Sequence, residues 1–223
     1  MTALAAREAY RLWAPTYVSE TAITALECGL VEAMTPPLRG RRLLDAGCGT
    51  GRRLRGTDAA SMVGVDLSPE MLDAGDVAND PAISLLVGDV RALPLPGAAF
   101  DITWCRLVIG HLPDCVPVYA ELARVTVPGG MAIVSDFHPR AHDAGHRRTF
   151  RSDGVVHEVE HHVHALTDHR AAAAMAGLHL VEIREAAIGP AVRPFYDRAD
   201  RLALYDEHVG LPVVLALAFL REG

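Results

Sequence analysis

The sequence has no excess of positive charge. Lys and Arg together number 21 against 28 Asp and Glu, giving a formal net charge of -7. A basic face that releases counterions supplies most non-specific affinity for nucleic acid, so nucleic acid is not an expected partner. Cysteine is scarce too. Cys28, Cys48, Cys105 and Cys115 form no C-x-x-C pair and no zinc spacing. That pattern sets aside a disulfide framework and a cysteine zinc site, and it points to reduced thiols in a cytosol. The opening MTALAAREAY carries Arg7 and Glu8 and lacks an apolar signal core, so a cytoplasmic protein is expected. Long apolar runs are missing as well. The stretch LPVVLALAFL over 211–220 is about half of what a membrane-spanning helix needs, so no span is expected and the stretch reads as a core strand.

What is present is apolar material, 50% of 223 residues, enough to bury one core. The expectation is a single domain over 1–223, a monomer or homodimer. Helices are expected over 1–38 and a cap insertion over 139–166. The informative stretch is LLDAGCGTGR, residues 43–52, where Gly47, Gly49 and Gly51 follow a short apolar run. Without a Cβ these positions can take positive φ and let the backbone approach a ligand, at a strand end that opens toward a helix. The dinucleotide fingerprint places its third glycine three residues after the second, and Arg52 stands there instead. A second run, SMVGVDL, ends in Asp66, 19 positions past Gly47 (66 minus 47), where a carboxylate can hold both hydroxyls of a ribose.

These residues resemble the class I S-adenosylmethionine-dependent methyltransferases, and within them the type 11 branch, similar to the quinone-biosynthesis enzymes. The resemblance implies an α/β fold with a Rossmann-like, doubly wound, seven-stranded sheet, mostly parallel with an antiparallel last strand, in the order 3-2-1-4-5-7-6. It implies S-adenosyl-L-methionine as cofactor and a small-molecule acceptor. Asp45, Gly47, Gly49, Gly51 and Arg52 belong to the matching loop, and Asp66 and Leu67 stand at the ribose position. Asp89 and Val90, in VGDV, match the adenine-binding acid and its neighbour. Cys105, ending the fourth strand, is expected to face the methionine part of the cofactor. Tyr10, Trp13, Ala14 and Tyr17 match a Y-x-x-W-A-x-x-Y segment that lies over the cofactor, with Tyr10 and Tyr17 as its contacts, which implies that the helices over 1–38 form a lid.

The rest of the chain is consistent with alternating strands and helices. Strands are expected near 42–46, 61–66, 83–88, 100–105 and 129–136. Ser68-Pro69 should cap a helix, and Pro15 should break the N-terminal helices. Ser152-Asp153-Gly154 signals a hairpin, a helix should run from Thr167-Asp168 to Gly177, and LHLVEIREAAIG and VVLALAFLRE should be the last two strands. A hydroxyl acceptor would need a base, and a histidine suits that task. Of eleven histidines, eight lie in the region between the fifth strand and the end of the helix expected to close at Gly177: His138, His142, His146, His157, His161, His162, His164 and His169. His111 and His138 are the candidate bases. Pairs such as His157 with His161, or His162 with His164, have metal-ligand spacing, but most of these residues are expected at the surface. No Asn-Pro-Pro-Tyr signature follows the fourth strand, where Thr103-Trp104-Cys105-Arg106 stand, which disfavours amide and adenine methylation. Two other classes use similar sheets: nicotinamide-dependent oxidoreductases, and proteins that bind the cofactor without methylating.

Overall fold

The computed structural model describes residues 3–17, 20–77 and 80–223. Two helices precede the sheet, α1 over Ala6–Trp13 and α2 over Ala22–Met34, separated by a 3-10 turn at Ala14–Thr16. Pro15 accounts for the break, since it has no amide to donate and restrains the residue before it. A capping box starts α2: the Thr21 hydroxyl accepts from the Thr24 amide at 3.2 Å, and Thr24 Oγ1 accepts from the Thr21 amide at 2.9 Å.

Seven strands form one sheet: β1 Arg42–Ala46, β2 Ser61–Asp66, β3 Ile83–Val87, β4 Phe100–Arg106, β5 Thr126–Phe137, β8 Leu178–Ala187 and β9 Pro212–Arg221. Their spatial order is β3-β2-β1-β4-β5-β9-β8. In sheet-strand order that is 3-2-1-4-5-7-6, as the resemblance implied. The first five strands pair in parallel, and β9 runs antiparallel to both β5 and β8. The chain moves outward through β1, β2 and β3, then returns to place β4 on the other side of β1. That reversal opens a crevice beyond the carboxyl ends of β1 and β4, where ligands bind in open α/β sheets.

Side chains alternate across the strands, so neighbouring residues enter different cores. Leu43, Ile102, Trp104 and Ile133 pack with Val31 and Met34 of α2. Leu44, Cys105 and Val134 pack on the other face with Tyr119 and Leu122 of α4 (Val116–Val125) and Ala172 and Ala173 of α6 (Leu166–Met175). Between β2 and β3 lies α3, Pro69–Asp73, whose first amides are capped by Ser68 Oγ, accepting from Met71 at 3.3 Å. Within α6 the Asp168 carboxylate accepts from the Ala165 amide at 2.8 Å and so marks the helix start.

After β5 come a short helix α5, Pro139–Asp143, and an antiparallel pair, β6 Thr149–Ser152 and β7 Val155–Glu158. Asp153 and Gly154, with φ of 49 and 77, form the two-residue turn whose left-handed geometry matches strand twist. This hairpin packs on α1 through a small cluster of Ala9, Phe150 and Val159, and the Trp13 and Phe150 rings stack at 5.0 Å. Between β8 and β9 lie α7, Arg193–Arg198, and α8, Leu202–His208. No helix among the described residues is long and apolar enough to cross a membrane.

Candidate functional site

The floor of the crevice is backbone. After Ala46 the chain turns through Gly47 at φ 82 and Gly49 at φ 57, and the amides of Gly47 and Cys48 donate to Val65 O at 2.7 and 3.0 Å. A Cβ on Gly47 would overlap Val108 Cγ2, so only glycine leaves the loop in place. Asp66, ending β2, is held at both oxygens: Oδ2 accepts from the Gly49 amide at 2.7 Å and Oδ1 from the Ser68 amide at 2.9 Å. Burial raises its pKa, and those amides work against the rise. The carboxylate is thus fixed in orientation while lone pairs remain to accept from a diol.

Asp45 lies beneath the loop, 1% exposed, and its Oδ1 has no hydrogen-bond partner among the described residues. Burial pushes its pKa up to about 7. A buried, orphaned carboxylate oxygen in a pocket wall is a seat for a cation or donor brought by a ligand. Beside it runs a buried ion pair, in which Arg106 Nε and Nη2 donate to Glu27 at 2.9 and 2.8 Å and Ser135 Oγ donates to the same carboxylate at 2.8 Å. This pair ties the end of β4 to α2. Arg53 donates to Glu20 at 2.7 Å and to Thr24 O at 2.9 Å. On the opposite wall Asp89 pairs with Arg91 at 2.6 Å, and that partner holds its carboxyl below the usual range.

The roof is made of side chains from distant segments. Tyr10 of α1 and Tyr17 face the glycine loop, and Arg148, just before β6, reaches the same space. His111, on a 3-10 turn at Ile109–His111, sits between them. The Tyr10 hydroxyl is 3.0 Å from its Nε2, Arg148 Nη1 touches the same nitrogen, and Nδ1 is 3.3 Å from Glu160 O. Burial, then the neighbouring guanidinium, pushes His111 well below its ordinary value. Burial also raises the Tyr10 phenol, which therefore stays protonated. Leu107 adopts a φ of 55 at the pocket wall, unusual for a branched residue. Its amide is held by Ser135 O at 2.9 Å, and its carbonyl accepts from Arg148 at 3.0 Å.

The crevice lining brings together Tyr10, Tyr17, Asp45, Gly47, Gly49, Arg52, Asp66, Leu67, Asp89, Val90 and His111. Three expected residues fall elsewhere. Cys105 is fully buried in the core on the α4 and α6 face, because strand alternation turns it away while Arg106 faces α2 and the crevice. Gly51 does not line the site; a Cβ there would press on Val77 at 2.9 Å and Leu85 at 3.1 Å, so it permits packing beneath the loop. His138 caps α5, its Nδ1 accepting from the Arg140 amide at 3.1 Å, and that leaves Nε2, 3.2 Å from Glu185 Oε1, to carry the hydrogen. Both nitrogens are engaged away from the crevice. Sequence reasoning passed over Glu27, Arg106 and Arg148. A charge inside the apolar run of α2 was a usable signal for Glu27, whereas nothing in HRRTF singles out Arg148. Among the described residues no group of three or more His, Cys, Asp or Glu is arranged to hold a metal ion.

Comparison with known proteins fits this geometry. The methyltransferase domain family matches residues 44–134, from β1 through β5. A malonyl-[acyl-carrier protein] O-methyltransferase of Dechloromonas aromatica is 30% identical over 189 residues, 80% of this chain and 67% of that protein. Its counterpart in Serratia marcescens is 42% identical over 98 residues, 43% of this chain and 38% of that protein. Several curated relatives are thus matched over about two fifths of their length. The crystal structure of an S-adenosylmethionine-dependent methyltransferase from Mesorhizobium loti shares the fold, with a TM-score of 0.70 at 23% identity, covering 90% of this chain and all of that one. The chain belongs to the class I S-adenosylmethionine-dependent methyltransferases, in their type 11 branch.

Proposed function

We propose that the protein transfers a methyl group from S-adenosyl-L-methionine to an oxygen of a small-molecule acceptor. The observation that carries this reading is Asp66, pinned by the Gly49 and Ser68 amides at the crevice floor beside the orphaned carboxylate oxygen of Asp45. One seat suits a ribose diol, and the other suits an ammonium group such as the cofactor's methionine part carries. When bound, the sulfonium supplies an already activated methyl group, so the protein needs no metal or covalent nucleophile for this step. What the chain must do is hold, orient and exclude water.

In this reading Asp66 and Leu67 hold the ribose, while Asp89 and Val90 border the adenine, with Arg91 fixing the Asp89 carboxylate. Tyr10 and Tyr17 close over the cofactor, and the α1 and hairpin layer forms the acceptor side. Oxygen is favoured as the acceptor atom because the matched relatives from Dechloromonas and Serratia are named O-methyltransferases. A cytoplasmic monomer or homodimer that does not bind nucleic acid completes the proposal.

A thermal-shift comparison tests it. S-adenosylhomocysteine should raise the unfolding midpoint in a concentration-dependent way, as any ligand of the native state does, and NAD should leave it unchanged. Stabilisation by NAD without stabilisation by S-adenosylhomocysteine would return the chain to the oxidoreductase alternative.

A further inference from the structure

The seven-stranded sheet ends in two strands that have one side unpaired among the described residues, β3 and β8. The first is five residues long and leads directly into Asp89 of the crevice, whereas β8 is ten residues long and lies three strands beyond β4. An edge strand offers a row of free amides and carbonyls, and proteins usually blunt it with a short strand, a proline or repelling charges. LHLVEIREAA is long and free of proline, and its charges are of both signs. Its pairing with β9 shifts at Val181 and again after Ala186, and between them Glu182–Ala186 is regular.

This edge is apolar on one face of the sheet and charged on the other. Ile183 stands opposite Leu217 of β9, on the face that α6 packs against, and is 39% exposed. Val181, at 53%, and Met175 at the end of α6, at 77%, are apolar and exposed as well. Glu182 and Arg184 stand opposite Ala218 and Ala216, on the face of α2. Arg184 Nε donates to Glu182 Oε1 at 2.6 Å, and neither side chain has a carboxylate or guanidinium partner elsewhere among the described residues.

Pairing with an identical strand has one register that suits this pattern. In an antiparallel pair, residues opposite each other point to the same face, so a two-fold axis normal to the sheet passes through a single residue. Centred on Glu182 or on Arg184, the pair would set like charges against each other, which destabilises it. Centred on Ile183, it sets Glu182 of each copy against Arg184 of the other, closing a ring of four charges with the pair already made inside each chain. On the opposite face Ile183 meets its own copy, which removes apolar surface from water. We infer that two copies of this chain associate through the β8 edge in this register, joining their sheets into one continuous sheet by strand addition. The inference takes the homodimer arm of the reading above and does not depend on the chemistry of methyl transfer. The crevice stays open in such a pair, because β5 and β9 separate β8 from β4.

Sedimentation velocity on the full chain, over a dilution series, tests it. The wild type should reach twice the 23.9 kDa of one chain and dissociate on dilution. Arg184→Glu, which gathers four carboxylates, should raise the dissociation constant at least tenfold. Glu182→Arg combined with Arg184→Glu in the same chain should bring it back within threefold, since the ring is restored with its signs exchanged. Circular dichroism matching the wild type shows that the variants are folded, and hydrogen exchange gives a readout that needs no substitution. In the wild type, the β8 amides that do not bond to β9 should exchange more slowly at high protein concentration than at low, while those of β3 stay the same. A wild type that is monomeric throughout overturns the inference. So does a dimer that Arg184→Glu leaves intact, one that the double exchange fails to restore, or concentration-dependent protection at β3 in place of β8. Binding of S-adenosylhomocysteine is read separately: a monomer that binds it sinks this interface alone, whereas failure to bind it sinks the methyl-transfer reading.

Discussion

The floor and the roof of the crevice are built on different principles. The floor is backbone at the ends of β1 and β2, with Gly47 and Gly49 at positive φ and Asp66 locked to two amides. The hydrogen bonds that hold it, from the Gly47, Cys48, Gly49 and Ser68 amides, are each made within about twenty residues of chain. The roof joins Tyr10, His111, Arg148 and Glu160, side chains and a carbonyl from four separate segments. It rests on a small apolar cluster around Phe150. A floor of backbone can hold one fixed ligand, whereas a roof of side chains on turns is the part that sequence change alters most readily.

The contrast can be broken from the floor first. Gly47→Val should cost about 4 kcal/mol of stability, because a branched residue is strained at positive φ and overlaps Val108. Urea unfolding measures it, and a cost under about 1 kcal/mol would mean that the loop adapts. On the roof, Phe150→Ala should cost about 3 kcal/mol, at the low end for an aromatic truncation since the cluster is small. The loss should be local. Hydrogen exchange should quicken in α1 and the β6–β7 pair while β1, β4 and β5 keep their protection, and uniform loss of protection would deny the two-layer picture.

A smaller effect comes from Asp45, whose pKa of about 7 lies far above the ordinary carboxyl value. A ligand ammonium beside it would lower that value, so binding releases a proton wherever the free site is protonated. Affinity for S-adenosylhomocysteine should therefore rise with pH up to about 7 and level off above it, by at most about tenfold per pH unit below 7. Asp45→Asn should flatten the profile. A flat profile in the wild type would detach Asp45 from the cofactor. The smallest effect expected is that of Arg91→Ala, an exposed pair partner of Asp89. Losing it should change cofactor affinity by only a few-fold, with calorimetry as the check.

The same division decides what could be read from the sequence. Gly47, Gly49 and Asp66 were legible because their requirements are local: positive φ, a strand end and a fixed offset. The strand order followed from the resemblance, and the structure repeats it. Gly51 shows the limit of that logic, since the same backbone freedom serves packing against Val77 and Leu85 rather than a ligand. Cys105 was misplaced by one step of strand alternation, with Arg106 facing the crevice in its stead. His138 looked reactive in sequence but caps a helix and bonds Glu185. Arg148 was invisible because its meaning lies in contacts to Leu107 and His111, 41 and 37 residues away.

The most direct test of a cofactor floor separable from an acceptor roof compares two variants by calorimetry with S-adenosylhomocysteine. The Val159 amide donates to Arg148 O at 2.9 Å, so the ends of the hairpin lie side by side and a short Gly-Ser linker can replace residues 149–158. That replacement should leave affinity within about fivefold of the wild type. Asp66→Ala should weaken it by about tenfold to a hundredfold, the 1 to 3 kcal/mol of an acceptor stripped from buried hydroxyls. The reverse ranking, with the linker variant losing cofactor and Asp66→Ala retaining it, would contradict the account.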